Sequence, residues 1–299
     1  MPPENENKLN LDKNVRDTRK RKSSSRQVIG CCVPSNRQCF LLSSRCYFID
    51  EIPNGWLPYP HIIKGYRVNL GWSKSFLSMF QTCHNEFYYI WTDTIPLLIY
   101  LAIVIRHVNT PKFINSDNKF KLVECGLFVG IIFCRAASTF YHIFNCVNLW
   151  TSQHLIQIDL IGICTCFCFI CPYFYVIGNK TSSGDIIFDE NFIRYCTVLF
   201  SLQTICTIIF VSNMAFGVSR IALVLEQPML CLIAIWGHLG GVNLFLNSSS
   251  EFILLKIHVA VGVFALLFGY VVCFMFKYPE RLFQSGYSDG KLWNSHSIW

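Results

Sequence analysis

The run IQIDLIGICTCFCFICPYFYVI, Ile156–Ile177, decides the architecture. Asp159 is its only charged-type side chain, and at 1.5 Å rise per residue a helix of this length crosses roughly 30 Å of hydrocarbon. The run lacks the strict alternation of a barrel strand. A helix, which satisfies its own backbone, is therefore the form in which it can sit in lipid. Five more runs read the same way: Tyr88–Ile105, Val123–Phe144, Phe192–Val211, Ile221–Leu239 and Phe252–Phe276. The fifth in chain order holds Glu226, Gln227 and Pro228, which must face the bundle interior or a water-filled cavity. The expected fold class is all-α, a polytopic membrane helix bundle with six spans.

Composition agrees. Of 299 residues 53% are hydrophobic and 14% charged, against about 25% charged in ordinary soluble domains. The 16 cysteines do not make a disulfide scaffold, because Cys125, Cys134, Cys164, Cys166, Cys168, Cys171, Cys196, Cys206, Cys231 and Cys273 fall inside apolar runs. There a cysteine behaves as a small hydrophobe. In the series Cys164, Cys166, Cys168 and Cys171 the spacing turns Cys166 to another helix face, which favours packing over a metal motif.

The net charge of +7 gathers at Lys13, Arg16, Arg19, Lys20, Arg21, Lys22 and Arg26. This tail lacks aromatics and precedes membrane spans, which indicates a cytosolic segment and no nucleic-acid partner. Residues 1–30 are expected to be disordered, 31–87 to form a cytosolic juxtamembrane segment, and 88–299 to form the bundle. No apolar stretch follows the amino terminus closely enough for a cleaved signal, so the first span is expected to direct insertion. In SKSFLSMFQ, Ser73 is a plausible N-cap for a helix carrying Phe76, Leu77, Met79 and Phe80, either lying in the interface or packed on the bundle. Lys277, Arg281 and Lys291 follow the last run, and the sequons at Asn179 and Asn247 fall in loops of the opposite face. Both ends are expected in the cytosol, on Golgi or plasma membrane.

Ser138 and His142 lie four apart, on one helix face, near the end of the second span. Asp159 opens the third, and crossing parity puts both on the membrane side that also receives the sixth span's end and His296 in NSHSIW. Histidines and a carboxylate at membrane depth are ligands suited to zinc with an open position for water. Parity sends His238 and His258 to the other side, as structural residues. His154 is read as a solvated loop residue before Asp159.

Taken together, GYR at Gly65–Arg67, HNEFYYIWTDTIP at His84–Pro96, the SxxxH of Ser138–His142, Asp159–Gly162 and PERLFQSGYSDGKLWNSHSIW at Pro279–Trp299 resemble the progestin and adipoQ receptor (PAQR) family. The GYR, IWT and PER contexts look closest to its Golgi-resident, Raf-kinase-trapping branch. The resemblance implies a seven-helix fold with a cytosolic amino terminus and a zinc site near the cytosolic face, similar to that of alkaline ceramidases. Carried over, His142 and His296 match zinc ligands, Asp159 the carboxylate that holds the zinc-bound water, and Ser138 the serine of the SxxxH motif. Two departures stand out. The family tail reads HxxxH, and its second histidine would fall one position beyond Trp299, so a third ligand and a seventh helix are expected to be missing and zinc to bind weakly or not at all. Tyr89 and Asp93 stand where the family usually has asparagine and histidine.

Three functions follow as expectations. The first is a PAQR-type receptor for a sphingolipid-, steroid- or adiponectin-like ligand, signalling at the cytosolic face. The second is a zinc-dependent ceramidase-like lipid amide hydrolase, with Asp159 and Ser138 as catalytic groups. The third is a Golgi scaffold that tethers a kinase.

Overall fold

In the computed structural model, residues 46–56, 62–82, 84–179 and 188–216 are described, with scattered positions between 229 and 278. The chain enters through two short antiparallel strands, β1 (Tyr47–Phe48) and β2 (Lys64–Tyr66), with Tyr47 opposite Tyr66. Gly65 holds φ at +94°, where a Cβ would come within 3.0 Å of the Asn85 nitrogen. The close approach lets the Asn85 N–H donate to the Gly65 carbonyl at 2.9 Å, tying the strand to the segment ahead of the first long helix.

Next comes α1 (Trp72–Ser78), whose N-cap is Gly71 with no side-chain cap. Ser73 therefore does not cap it. The chain turns into the helix at φ +73°, a conformation glycine takes without strain, and Ser75 bonds back to the Gly71 carbonyl at 2.7 Å. The polarity of α1 is inverted: Ser75 and Ser78 are buried, whereas Trp72, Phe76 and Leu77, with Phe80 just beyond, are about half exposed.

Four long helices follow: α2 (Phe87–Val108), then, after the single turn α3 (Pro111–Ile114), α4 (Asn118–Phe144), α5 (Leu149–Gly178) and α6 (Glu190–Phe216). Side-chain caps set the starts of α4, α5 and α6, whereas α2, with Glu86 as its N-cap, has none. Asp117 accepts from the Lys119 N–H at 3.2 Å, Asn148 from Thr151 at 2.8 Å, and Asp189 from Phe192 at 2.8 Å. Among the described residues, α2, α5 and α6 are long and apolar enough to cross a membrane. The first four expected spans fall within α2, α4, α5 and α6, of which α4 does not meet that measure of length and apolarity. The fifth and sixth fall mostly outside the described residues, as do Glu226, Gln227 and Pro228.

Each neighbouring pair packs side by side, α2 on α4, α4 on α5 and α5 on α6. Without a hydrophobic driving force between helices in lipid, small residues make these contacts close. A Cβ on Gly162 would sit 3.1 Å from the Cys134 Cα and 3.2 Å from the Ala137 Cβ. Cys164, Cys168, Cys171 and Cys206 form one buried cluster with Tyr195, Leu199, Phe210 and Ile233, so the cysteine series is helix packing. Outward-facing Ile95, Leu98, Ile99 and Ile103 of α2 are about half exposed, as lipid contact requires. The fold is an all-α membrane helix bundle.

One boundary differs from expectation with consequences for the site. The Asn148 cap starts α5 seven residues ahead of the apolar run, so His154 is in the helix, with its ring stacked 3.8 Å from that of Trp150, and not in a loop. Asp159 accordingly lies almost three turns inside α5.

Candidate functional site

Antiparallel packing brings the start of α2, the end of α4 and the first turns of α5 to one end of the bundle. Ser138, His142 and Asp159 meet there. His142, in the last turn of α4, is 2% exposed, and its Nδ1 lies 2.7 Å from Glu86 Oε2. A carboxylate only accepts, so Nδ1 carries the proton and donates. The other ring nitrogen, Nε2, faces Asp93 Oδ2 at 4.0 Å, and Tyr89 packs against the ring at 5.3 Å between centroids.

Asp93 lies two turns into α2. Its carboxylate accepts from Arg135 Nη1 on Oδ1 and from Ser138 Oγ on Oδ2, both at 2.7 Å. On the α5 side, Asp159 is 9% exposed and interacts with His142, Asp93, Ser138 and Arg135. Its Oδ1 is buried with no hydrogen-bond partner. Three carboxylates thus surround one imidazole and one guanidinium. Charge buried at membrane depth must be compensated, so the cluster calls for a further positive charge, a proton or a metal cation.

A second layer holds the first in place. Arg67, 6% exposed, donates through Nη2 to the His142 carbonyl at 2.7 Å and to Asn145 Oδ1 at 3.5 Å, and through Nη1 to Ser78 Oγ. The Leu70 N–H donates to the Cys146 carbonyl at 2.9 Å, so the segment before α1 is bonded to the α4–α5 connection. His84 accepts from the Glu86 N–H on Nδ1 at 3.1 Å, which leaves Nε2 as the donor to the Ser78 carbonyl at 2.8 Å.

Both His84 nitrogens are therefore committed in the neutral form. Burial first, and then the nearby Arg67 guanidinium, push its pKa well below the ordinary 6.5. Unfolded chains bind this proton below pH 6.5 while the folded protein does not, so stability is full above that value and falls as pH drops. We expect the melting temperature of the detergent-solubilised protein to fall from pH 6.5 towards 5. In His84→Gln, which keeps a donor to Ser78 but cannot titrate, that slope should flatten; an unchanged slope would clear His84 of the effect.

Of the residues expected from sequence, Ser138, His142 and Asp159 converge, and His296 lies outside the described residues. Sequence reading assigned no role to Glu86, His84, Arg67 or Arg135, and it recorded Asp93 only as a departure. A carboxylate placed just ahead of an apolar run was the available signal for Glu86. The donor chemistry fits zinc: a buried imidazole is oriented by a carboxylate on one nitrogen, and Asp159 carries an unsatisfied buried oxygen. Among the described residues no three His, Cys, Asp or Glu side chains are arranged to hold a metal. His142 and the carboxylates beside it would form the near half of such a site.

The model of the haemolysin-III related family matches residues 81–299 and so contains all three converging residues. An uncharacterized protein of Schizosaccharomyces pombe is 24% identical over 123 residues, 40% of this chain and 28% of the relative. Heptahelical transmembrane protein 1 of Arabidopsis thaliana is 28% identical over 134 residues, 42% of this chain and 40% of the relative. The matched regions thus span well under half the length of these relatives.

Proposed function

Because the chain belongs to the haemolysin-III related, PAQR-like family of heptahelical membrane proteins, we propose that it is an integral membrane receptor of PAQR type with a zinc-binding centre at His142. We place that centre near the cytosolic face, with the amino terminus in the cytosol, on Golgi or plasma membrane. One observation carries the reading. His142 is bonded through its ring to Glu86 and through its carbonyl to Arg67. A ligand that shifts α2 against α4 would therefore move the segment at 62–82, the part of the described chain suited to meet cytosolic partners. His142 and His296 are the histidines proposed to hold zinc, whose role in a receptor would be to fix the helix ends.

A second reading, a lipid amide hydrolase similar to ceramidases, is favoured by the unpartnered Asp159 Oδ1 beside the Ser138 hydroxyl. Bound zinc would supply Lewis acidity and lower the pKa of water to about 7. Asp159 would orient that water and take up its proton, and Ser138 would turn its hydroxyl from Asp93 to donate a hydrogen bond to the substrate carbonyl oxygen.

The purified full chain is the material for the test. Zinc is measured by elemental analysis in the wild type and in His142→Ala, hydrolysis of a labelled ceramide is followed in parallel, and backbone exchange at 62–82 is compared before and after chelation. The receptor reading predicts His142-dependent zinc, no turnover, and loss of protection at 62–82 on chelation. Turnover abolished by Asp159→Asn would replace it with the hydrolase. Absence of zinc from the wild type would remove the metal from both.

A further inference from the structure

We infer that Asp93 is a direct carboxylate ligand of the cation held at His142, giving the centre a mixed imidazole and carboxylate donor set. The inference rests on the reading of His142 as a metal ligand and adds a residue that the sequence pattern does not supply. With Nδ1 donating to Glu86, the nitrogen of His142 that would meet a metal is Nε2, and Asp93 Oδ2 lies 4.0 Å from it. Metal bonds to histidine nitrogen and carboxylate oxygen are each about 2.0–2.2 Å, so His142 and Asp93 would be able to hold one ion together once the gap between them closed somewhat.

Asp93 is also held as a ligand must be. Arg135 takes Oδ1 and the Ser138 hydroxyl takes Oδ2, each at 2.7 Å. An anchored carboxylate loses little side-chain entropy on binding, and an oxygen with a second lone pair still accepts a metal. Independent support comes from α5. The Asp159 carboxylate is nine-tenths buried, interacts with both His142 and Asp93, and leaves Oδ1 without a hydrogen-bond partner. A structural ion pair between Arg135 and Asp93 would leave that oxygen unexplained. A divalent cation between His142 and Asp93 places positive charge where it is wanted. Zinc is the cation this donor set suits best, since a histidine and carboxylate mixture is among its common protein sites.

The purified full chain, stripped and reloaded with cobalt(II), tests this through a readout other than activity. Cobalt d–d absorption reports the atoms bonded to the metal. The wild type should bind one His142-dependent cobalt. Asp93→Asn should shift the d–d bands and weaken affinity about 100-fold or more, beyond the roughly 10–100-fold loss typical of an outer-shell partner. Arg135→Gln should leave the band positions unchanged, because it removes the anchor and not the ligand. If Asp93→Asn fails to fold, Asp93→His replaces it; a bound cobalt with bands moved towards nitrogen donation supports the ligand role. Unchanged bands in the folded Asp93 variants overturn the inference while the metal centre stands. A wild type that binds no cobalt, or binds it equally well in His142→Ala, overturns both the inference and the centre it rests on.

Discussion

Glu86→Ala should lower unfolding free energy by about 3–5 kcal/mol, the largest loss expected from any single truncation at this end of the bundle. Glu86 and His142 are 6% and 2% exposed and joined at 2.7 Å. Truncation takes from the imidazole N–H the carboxylate acceptor it holds in the folded protein, at a residue that is almost fully buried. Unlike a surface pair, the two groups have no solvated alternative. Glu86→Gln keeps an acceptor oxygen and should cost less than half as much. Thermal unfolding in one detergent, ranked Ala below Gln below wild type, checks the order. Glu190→Ala supplies the scale: Glu190 and Arg194 are an exposed pair one helical turn apart, at 77% and 72% exposure, and its loss should cost no more than about 0.5 kcal/mol. Equal melting temperatures for the Glu86 and Glu190 variants would show that the Glu86 bond contributes nothing beyond what a surface pair does.

Arg67→Ala should cost roughly 3 kcal/mol, since hydrogen bonds from a charged donor contribute about 1.5–3 kcal/mol each and the guanidinium makes more than one. Its fork reaches Ser78, the His142 carbonyl and Asn145 together, which no point-like ammonium can do. Arg67→Lys should therefore recover only a small part of the loss. Because Arg67 is the cross-brace between 62–82 and the end of α4, cleavage of that segment by added protease should accelerate in Arg67→Ala while the long helices stay resistant. A segment that remains as resistant as in the wild type would show that the backbone bonds at Leu70 and Asn85 suffice without the side chain.

Periodicity and caps made the helices legible, but for different reasons. Apolar runs place the bodies of α2, α4, α5 and α6 because lipid tolerates no other backbone. The start of α5 was misplaced because hydropathy records where the apolar run begins, whereas Asn148 records where the helix begins. Ser138, His142 and Asp159 were legible as a set, since helical spacing and crossing parity put them at one end. Their partners were not. Glu86 precedes the helix it serves, and Arg67 reaches His142 from 75 residues away, through a strand and a turn that carry no hydropathy pattern. Pairings of that kind are created by the fold and cannot be counted along the chain.

The inverted α1 sets the draught of the molecule. A helix that hides two serines and shows Trp72, Phe76 and Leu77 turns outward the kind of face an interfacial helix would lay against lipid. In that placement it would ride at the lipid boundary, as a waterline mark does on a hull, and Trp91 is fastened to its end through the Met79 carbonyl at 2.8 Å. A thicker or thinner bilayer would then be met by tilting the long helices beneath a fixed float, not by raising the whole bundle. The His142 cluster, hung from the same segment by Arg67, would keep its depth below the headgroups while the far ends of α2 and α4 travel.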